Sequence, residues 1–267
     1  MWVGNVITKT ISNAMEDVNV DSLWLIDKRD SSGKHANVYH GNFVPQIPNN
    51  LIRRYTKEGD IVLDLFMGSG TTLFECESLK RDFIGFDINK DIIEYVNSKM
   101  DCECPIKHFI NNCDATDEEL FSKTICDNFK MLGKNKIDFF IAHPPYLDII
   151  KFTNLKCDLS NSSDVNDFIS KFVVSINNAY KYLEPNKYFA IVVGDIYRNS
   201  EVVPLAFYAM DSIKKHFNVK LKGIVIKNIE GNKGKLGVDN IWHSRALRSD
   251  YFIFKHEYIF VFKKLYK

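Results

Sequence analysis

The sequence predicts an α/β fold: a mainly parallel, seven-stranded sheet with helices on both faces. Three observations carry that expectation. Short apolar runs alternate with segments of helical periodicity from residue 61 to residue 262. A glycine-rich turn directly follows the first of those runs, and acidic residues follow successive runs, as at the carboxyl edge of a parallel sheet. The composition is that of an ordinary globular chain, with 267 residues, 45% hydrophobic and 26% charged.

The elements follow in order. Residues 1–38 are polar and weakly periodic and are expected to form an N-terminal extension, with one domain over 39–267. After Pro45 and Pro48 comes a short helix over Asn49–Tyr55. Ile61–Leu65 reads as a buried strand, Thr71–Lys80 as a helix, Phe83–Asp87 as a strand and Lys90–Lys99 as a helix. A weaker strand over Ile106–Cys113, a helix near Asp117–Met131 and a strand over Ile137–Ala142 complete the first half. Val165–Leu183 is helical, Tyr188–Val193 a strand, Pro204–His216 a helix, and Val219–Ile226 and Tyr258–Phe262 the last strands. Residues 227–250, with Gly231, Gly234 and Gly237 among lysines, are expected to form a long mobile loop.

No stretch approaches the roughly 20 apolar residues of a membrane span, and Met1–Thr10 lacks the basic-then-apolar order of a signal peptide. A cytoplasmic protein is expected. The six cysteines show no framework spacing, so free thiols are expected. Cys102, Cys104 and His108 lie close together, but no fourth ligand stands at finger-like spacing, and no metal is expected. The net charge of +1 hides an asymmetry: Lys214–Lys267 holds 13 Lys/Arg against 4 Asp/Glu, while the remainder holds 22 against 30. A basic end on an acidic body suits a polyanionic partner.

Two motifs carry chemistry. In Asp64-Leu65-Phe66-Met67-Gly68-Ser69-Gly70-Thr71-Thr72, two glycines let the backbone approach a ligand, and the following helix offers free N–H groups to a carboxylate. No lysine follows the glycines, which excludes a Walker phosphate loop. Asp87, after the second strand, is placed for a ribose diol, and Asp114 follows the third. The second motif, Ala142-His143-Pro144-Pro145-Tyr146, ends the fourth strand. Its prolines stiffen the backbone, the Pro144 carbonyl can accept a hydrogen bond, and Tyr146 supplies a flat ring. A backbone acceptor, a side-chain acceptor and an aromatic plate suit an extruded planar base bearing an amino group.

With these motifs in place, the sequence resembles the DNA amino-methyltransferase family, the S-adenosylmethionine (SAM)-dependent adenine-N6 and cytosine-N4 methylases. The resemblance implies the Rossmann-like SAM-dependent methyltransferase fold and SAM as cofactor. It assigns Asp64, Phe66, Gly68, Ser69, Gly70 and Thr71 to the SAM-binding motif. His40, Asn42, Phe43 and Pro45 match the preceding segment that holds the methionine end, Asp87 and Ile88 match the ribose site, and Asp114 and Ala115 stand beside the adenine. His143, Pro144, Pro145 and Tyr146 match the catalytic motif. Gly194-Asp195 and His256–Lys263 are similar to its later structural motifs.

The catalytic motif of that family begins with Asp or Asn in adenine enzymes and Ser or Thr in cytosine-N4 enzymes. Here it begins with His143, and the absent acid favours cytosine N4 over adenine N6. The expected function is site-specific methylation of double-stranded DNA, in restriction-modification or DNA marking. The alternatives are an RNA or protein-glutamine methyltransferase, or a non-catalytic SAM-binding subunit. No separate target-recognition domain is evident, so a specificity subunit or a cognate endonuclease is a candidate partner. Lys227, Lys233, Lys235, Arg245 and Arg248 are expected to meet DNA phosphates. Neutral His143 and the Pro144 carbonyl are expected to accept the two hydrogens of the target amino group. Activity should then fall as His143 titrates, near about pH 6.5 for an unperturbed ring.

Overall fold

The computed structural model describes residues 17–36, 39, 41–101, 103–229 and 239–266. Its centre is an eight-stranded sheet in the order β1-β9-β10-β6-β5-β2-β3-β4. The strands are β1 (Leu23–Trp24), β2 (Ile61–Asp64), β3 (Asp82–Asp87), β4 (His108–Asn112), β5 (Ile137–Ala142), β6 (Leu183–Val193), β9 (Val219–Asn228) and β10 (His256–Lys264). Only β10 runs antiparallel to its neighbours, β6 and β9. The seven-stranded expectation is therefore corrected to eight. The added strand, β1, lies in the stretch read as an extension. Two residues are too few to show a period, but they pair in parallel with Ile226 and Lys227 at the sheet edge.

Alternation along the strands distributes the core. In β5, Phe139 and Ile141 face one side and Phe140 the other. The first side is covered by helices α1 (Gln46–Tyr55), α2 (Thr71–Leu79) and α3 (Lys90–Asn97), through Ile47, Leu51, Leu73, Ile93 and Val96. The second is covered by α4 (Glu118–Leu132), α5 (Val165–Tyr180) and α6 (Leu205–His216), through Phe121, Ile125, Phe168, Phe172 and Ile213. Side-chain caps start three of these helices: Asn89 accepts from the Asp91 amide, Asp117 from Leu120 and Asp164 from Asp167.

The structure departs from expectation at three further places. Helix α5 stops at Tyr180, and β6 begins at Leu183, before the expected Tyr188. Pro185 and left-handed Asn186 (φ 64°) interrupt the ladder there, and the β5–β6 register shifts between Ile137 and Phe139. A hairpin of β7 (Ile196–Arg198) and β8 (Glu201–Val203) fills what had no assigned element. In the stretch expected to be a loop, Lys227 and Asn228 end β9, and Asp239–Leu247 form a helix, α7. No helix among the described residues is long and apolar enough to cross a membrane, and the described cysteines are free. Cys102 lies outside the described residues.

The chain leaves β2 toward β3 and β4 on one side and returns as β5 on the other. This reversal opens a crevice at the carboxyl ends of the strands, where ligands bind open α/β sheets.

Candidate active site

A cleft of about 1020 Å³ occupies that crevice. It is lined by the turn after β2, the ends of β3 and β4, and the motif after β5. The turn is shaped by Gly68 (φ 51°) and Gly70 (φ 84°), both left-handed. A Cβ on Gly70 would stand 3.0 Å from Val96 Cγ1, so close helix packing as well as φ demands glycine there.

Asp64 is almost fully buried and does not face the cleft. Its Oδ2 accepts from Thr72 Oγ1 at 2.5 Å and its Oδ1 from the Phe66 amide at 3.1 Å, tying strand, turn and helix together. Burial raises its pKa to about 7. Asp87 does line the cleft. Its Oδ2 accepts from the Gly68 amide at 2.8 Å and its Oδ1 from the Asn89 amide at 2.9 Å. Burial pushes its pKa up to about 6, against those two hydrogen bonds. Asp114 Oδ1 accepts from the amide and hydroxyl of Thr116, and Asp114 and Ala115 face the cleft.

Of the other residues assigned to the cofactor, Asn42, Phe43, Phe66, Gly68, Thr71 and Ile88 line the cleft. Ser69 stands behind it, accepting from Asn42 Nδ2 at 2.9 Å. Pro45 and Gly70 shape the flanking elements and do not line it. His40 lies outside the described residues.

His143, Pro144, Pro145 and Tyr146 all line the same cleft. Phe43 packs on the His143 ring with centroids 5.0 Å apart, so the segment before β2 touches the motif after β5. Tyr146 lies across Gly194, where a Cβ would come within 3.0 Å of Tyr146 Cε2. Leu147, next in the chain, takes φ 53°, a strained value for a branched residue immediately after the motif. Burial lowers the His143 pKa to about 4; the negative charge of Glu257 opposes this and the positive charge of Lys227 adds to it. Burial, then Glu257, raises that of Tyr146 well above the ordinary phenol value.

Sequence reasoning missed the opposite wall. Residues 147–161 cross the cleft and contribute Ile149, Ile150, Phe152 and the buried Asp158. Phe152 meets Tyr39, with ring centroids 5.5 Å apart. Asp158 accepts from Thr153 Oγ1 at 2.7 Å and from the Ser160 amide at 2.8 Å. This segment has no helical or strand period to mark it. Sequence reasoning also missed Glu257, which accepts from the Tyr146 hydroxyl at 3.0 Å. Its signal was parity, since Glu257 shares a strand face with Ile259 and Val261.

The basic residues divide. Arg245 and Arg248 are exposed, at and just beyond the end of α7. Lys233 and Lys235 lie outside the described residues. Lys227 is buried in an ion pair with Glu257, at 3.2 Å, and so does not stand with the exposed cations.

Residues 6–98 match the family model for DNA methylases of the N6/N4 type. Over 108 residues the chain is 33% identical to the Type II methyltransferase M.HpaI of Haemophilus parainfluenzae, covering 40% of this chain and 32% of that protein. Over 93 residues it is 38% identical to the Type II methyltransferase M.MjaII of Methanocaldococcus jannaschii, covering 34% of this chain and 17% of that one. The matched segments thus span about a third or less of these relatives. Among solved structures, TrmN from Thermus thermophilus superposes with a TM-score of 0.53 at 16% identity, over 85% of this chain and 50% of that one, a likeness of fold. Residues 6–98 are thus similar to the N6/N4-type DNA methylases, and the α/β fold is shared with TrmN.

Proposed function

We propose that the protein transfers a methyl group from SAM to the exocyclic amino group of a base in double-stranded DNA, with cytosine N4 favoured over adenine N6. The observation that carries this reading is that His143-Pro144-Pro145-Tyr146 and the Gly68–Asp87 turn line one cleft. The residues present fit the cofactor. Asp87 brings a carboxylate to the cleft wall, Gly68 brings bare backbone there, and Asp114 stands at the third strand end. When bound, SAM supplies an electrophilic methyl group.

The chain's own residues hold the acceptor. An exocyclic amino nitrogen is a poor nucleophile because its lone pair is delocalised into the ring. Hydrogen bonds from its two N–H groups to the neutral His143 ring and the Pro144 carbonyl would draw that pair back onto nitrogen. Tyr146 would stack on the flipped base, a contact worth roughly 1–3 kcal/mol in single-strand binders. Positioning and fixed dipoles then supply the acceleration. Choice of site falls to loops of this chain or to a partner, such as a specificity subunit or a cognate restriction endonuclease.

The decisive experiment is incubation of the protein with isotope-labelled SAM and DNA, followed by mass spectrometry of the nucleosides. Labelled N4-methylcytosine supports the reading in full and N6-methyladenine supports it with the base exchanged. Label in RNA or protein, or none in any acceptor while SAM binds, would overturn it.

Two further outcomes are expected. Asp87→Ala should weaken SAM binding tenfold or more, about 1.4 kcal/mol. In the unaltered protein, affinity should fall below about pH 6, where Asp87 protonates and loses an acceptor, and level off no lower than that of Asp87→Ala. Calorimetry across that range checks both, and a flat profile would remove Asp87 from the site. Replacing exposed Arg245 and Arg248 together with alanine should reduce the slope of log affinity for DNA against log salt by about 2. An unchanged slope would place the phosphate contacts elsewhere.

A further inference from the structure

A chain of polar groups runs from the cleft-lining His143 and Tyr146 to the buried Glu257 and Lys227. Lys227 Nζ pairs with Glu257 Oε1 at 3.2 Å, and both side chains are less than a tenth exposed. Glu257 Oε2 accepts from the Tyr146 hydroxyl at 3.0 Å. Tyr146 Oη stands 3.1 Å from His143 Nε2.

The fold explains how these groups meet. Because β10 runs antiparallel, its first residues lie where the parallel strands end, beside the cleft. Glu257 and Lys227 are direct cross-strand partners at that edge. Gly194, at the end of β6, leaves room for the Tyr146 ring between them and His143.

The direction of each hydrogen bond follows from chemistry. An ionised carboxylate paired with lysine can only accept, so the Tyr146 hydroxyl gives its single proton to Glu257. The Tyr146 oxygen can then only accept from His143, so Nε2 carries the ring proton. A neutral imidazole has one N–H and one lone pair, so the lone pair resides on Nδ1. We propose that Glu257, held by Lys227 and acting through the Tyr146 hydroxyl, is a positioning residue that fixes His143 in its Nε2–H tautomer and so makes Nδ1 the acceptor for the substrate amino group. The proposal rests on the methyltransferase reading for its purpose but not for its geometry. Outer partners that set the tautomer of a working histidine are a general device. The depressed His143 pKa and the raised Tyr146 pKa agree with it, since the ring stays neutral and the hydroxyl stays protonated.

The test is spectroscopic and needs no substrate. In full-length protein carrying ¹⁵N-labelled histidine, long-range ¹H–¹⁵N spectra report which ring nitrogen is protonated, and loss of signals in His143→Ala assigns the ring. The wild-type protein should show a single tautomer with Nδ1 unprotonated. Tyr146→Phe, which keeps the aromatic plate but removes the oxygen, should give a mixture, as should the near-isosteric Glu257→Gln. Each should slow single-turnover methylation about tenfold with SAM affinity unchanged. A wild-type Nδ1–H tautomer would overturn the proposal, and so would variant spectra identical to wild type. A locked Nε2–H tautomer in a protein that methylates nothing would support the relay and overturn the functional reading alone.

Discussion

Replacing His143 with alanine is expected to slow methyl transfer in a single turnover by about 10²–10³-fold, on the order of 3–4 kcal/mol, the range found when one preorganised hydrogen-bonding group is removed from a reacting centre. SAM affinity should be unchanged, because the proposed cofactor site lies at the turn after β2 and Asp87. His143→Asn, which restores an acceptor, should recover part of the rate. The pH profile sharpens the test. Burial holds the ring neutral down to about pH 4, so no loss of rate from His143 should occur near the ordinary imidazole value of about 6.5. The stability sign follows from the same shift. Between about 4 and the unfolded value, the unfolded ring binds more protons than the folded one, so His143 makes the fold less stable as pH falls through that window. A His143→Ala protein that turns over at the wild-type rate would leave Tyr146 and the Pro144 carbonyl without their proposed partner.

The parts of the fold visible in the sequence are those with a period. Strands β2, β3 and β5 are mostly apolar because both faces are covered by helices, and α4 and α5 show their buried stripe at helical spacing. Elements without room for a period were invisible: the two residues of β1, the β7–β8 hairpin, and α7 among glycines and lysines. The candidate site divides in the same way. Asp87 and the His143–Tyr146 motif were legible because strand ends have fixed positions in a parallel sheet. Asp64 was legible as part of a motif, but its place behind the turn depends on Thr72 closing a hydrogen bond across it. Lys227 was read as a surface cation from local composition. Its burial depends on the β9–β10 register that sets it opposite Glu257, a long-range pairing that no local window contains.

That pairing makes Lys227→Met the variant with the largest expected effect on stability. Removing the ammonium leaves Glu257 as a buried carboxylate whose side-chain partner among the described residues is the Tyr146 hydroxyl, and breaking such a pair costs about 3–5 kcal/mol. The urea midpoint should drop accordingly. Lys227→Met combined with Glu257→Leu removes both charges, and well-packed apolar pairs replace buried ion pairs at little cost. Most of the lost stability should return, less about 1 kcal/mol for the Tyr146 hydroxyl deprived of its acceptor. Methyl transfer should not return with it, because nothing then obliges Tyr146 to accept from His143, and the ring is free to hold its proton on either nitrogen. Stability and rate should therefore part company in the double variant. Recovery of both together would reduce the pair to a structural element, and an unchanged urea midpoint in Lys227→Met would show that the pair is not buried as described.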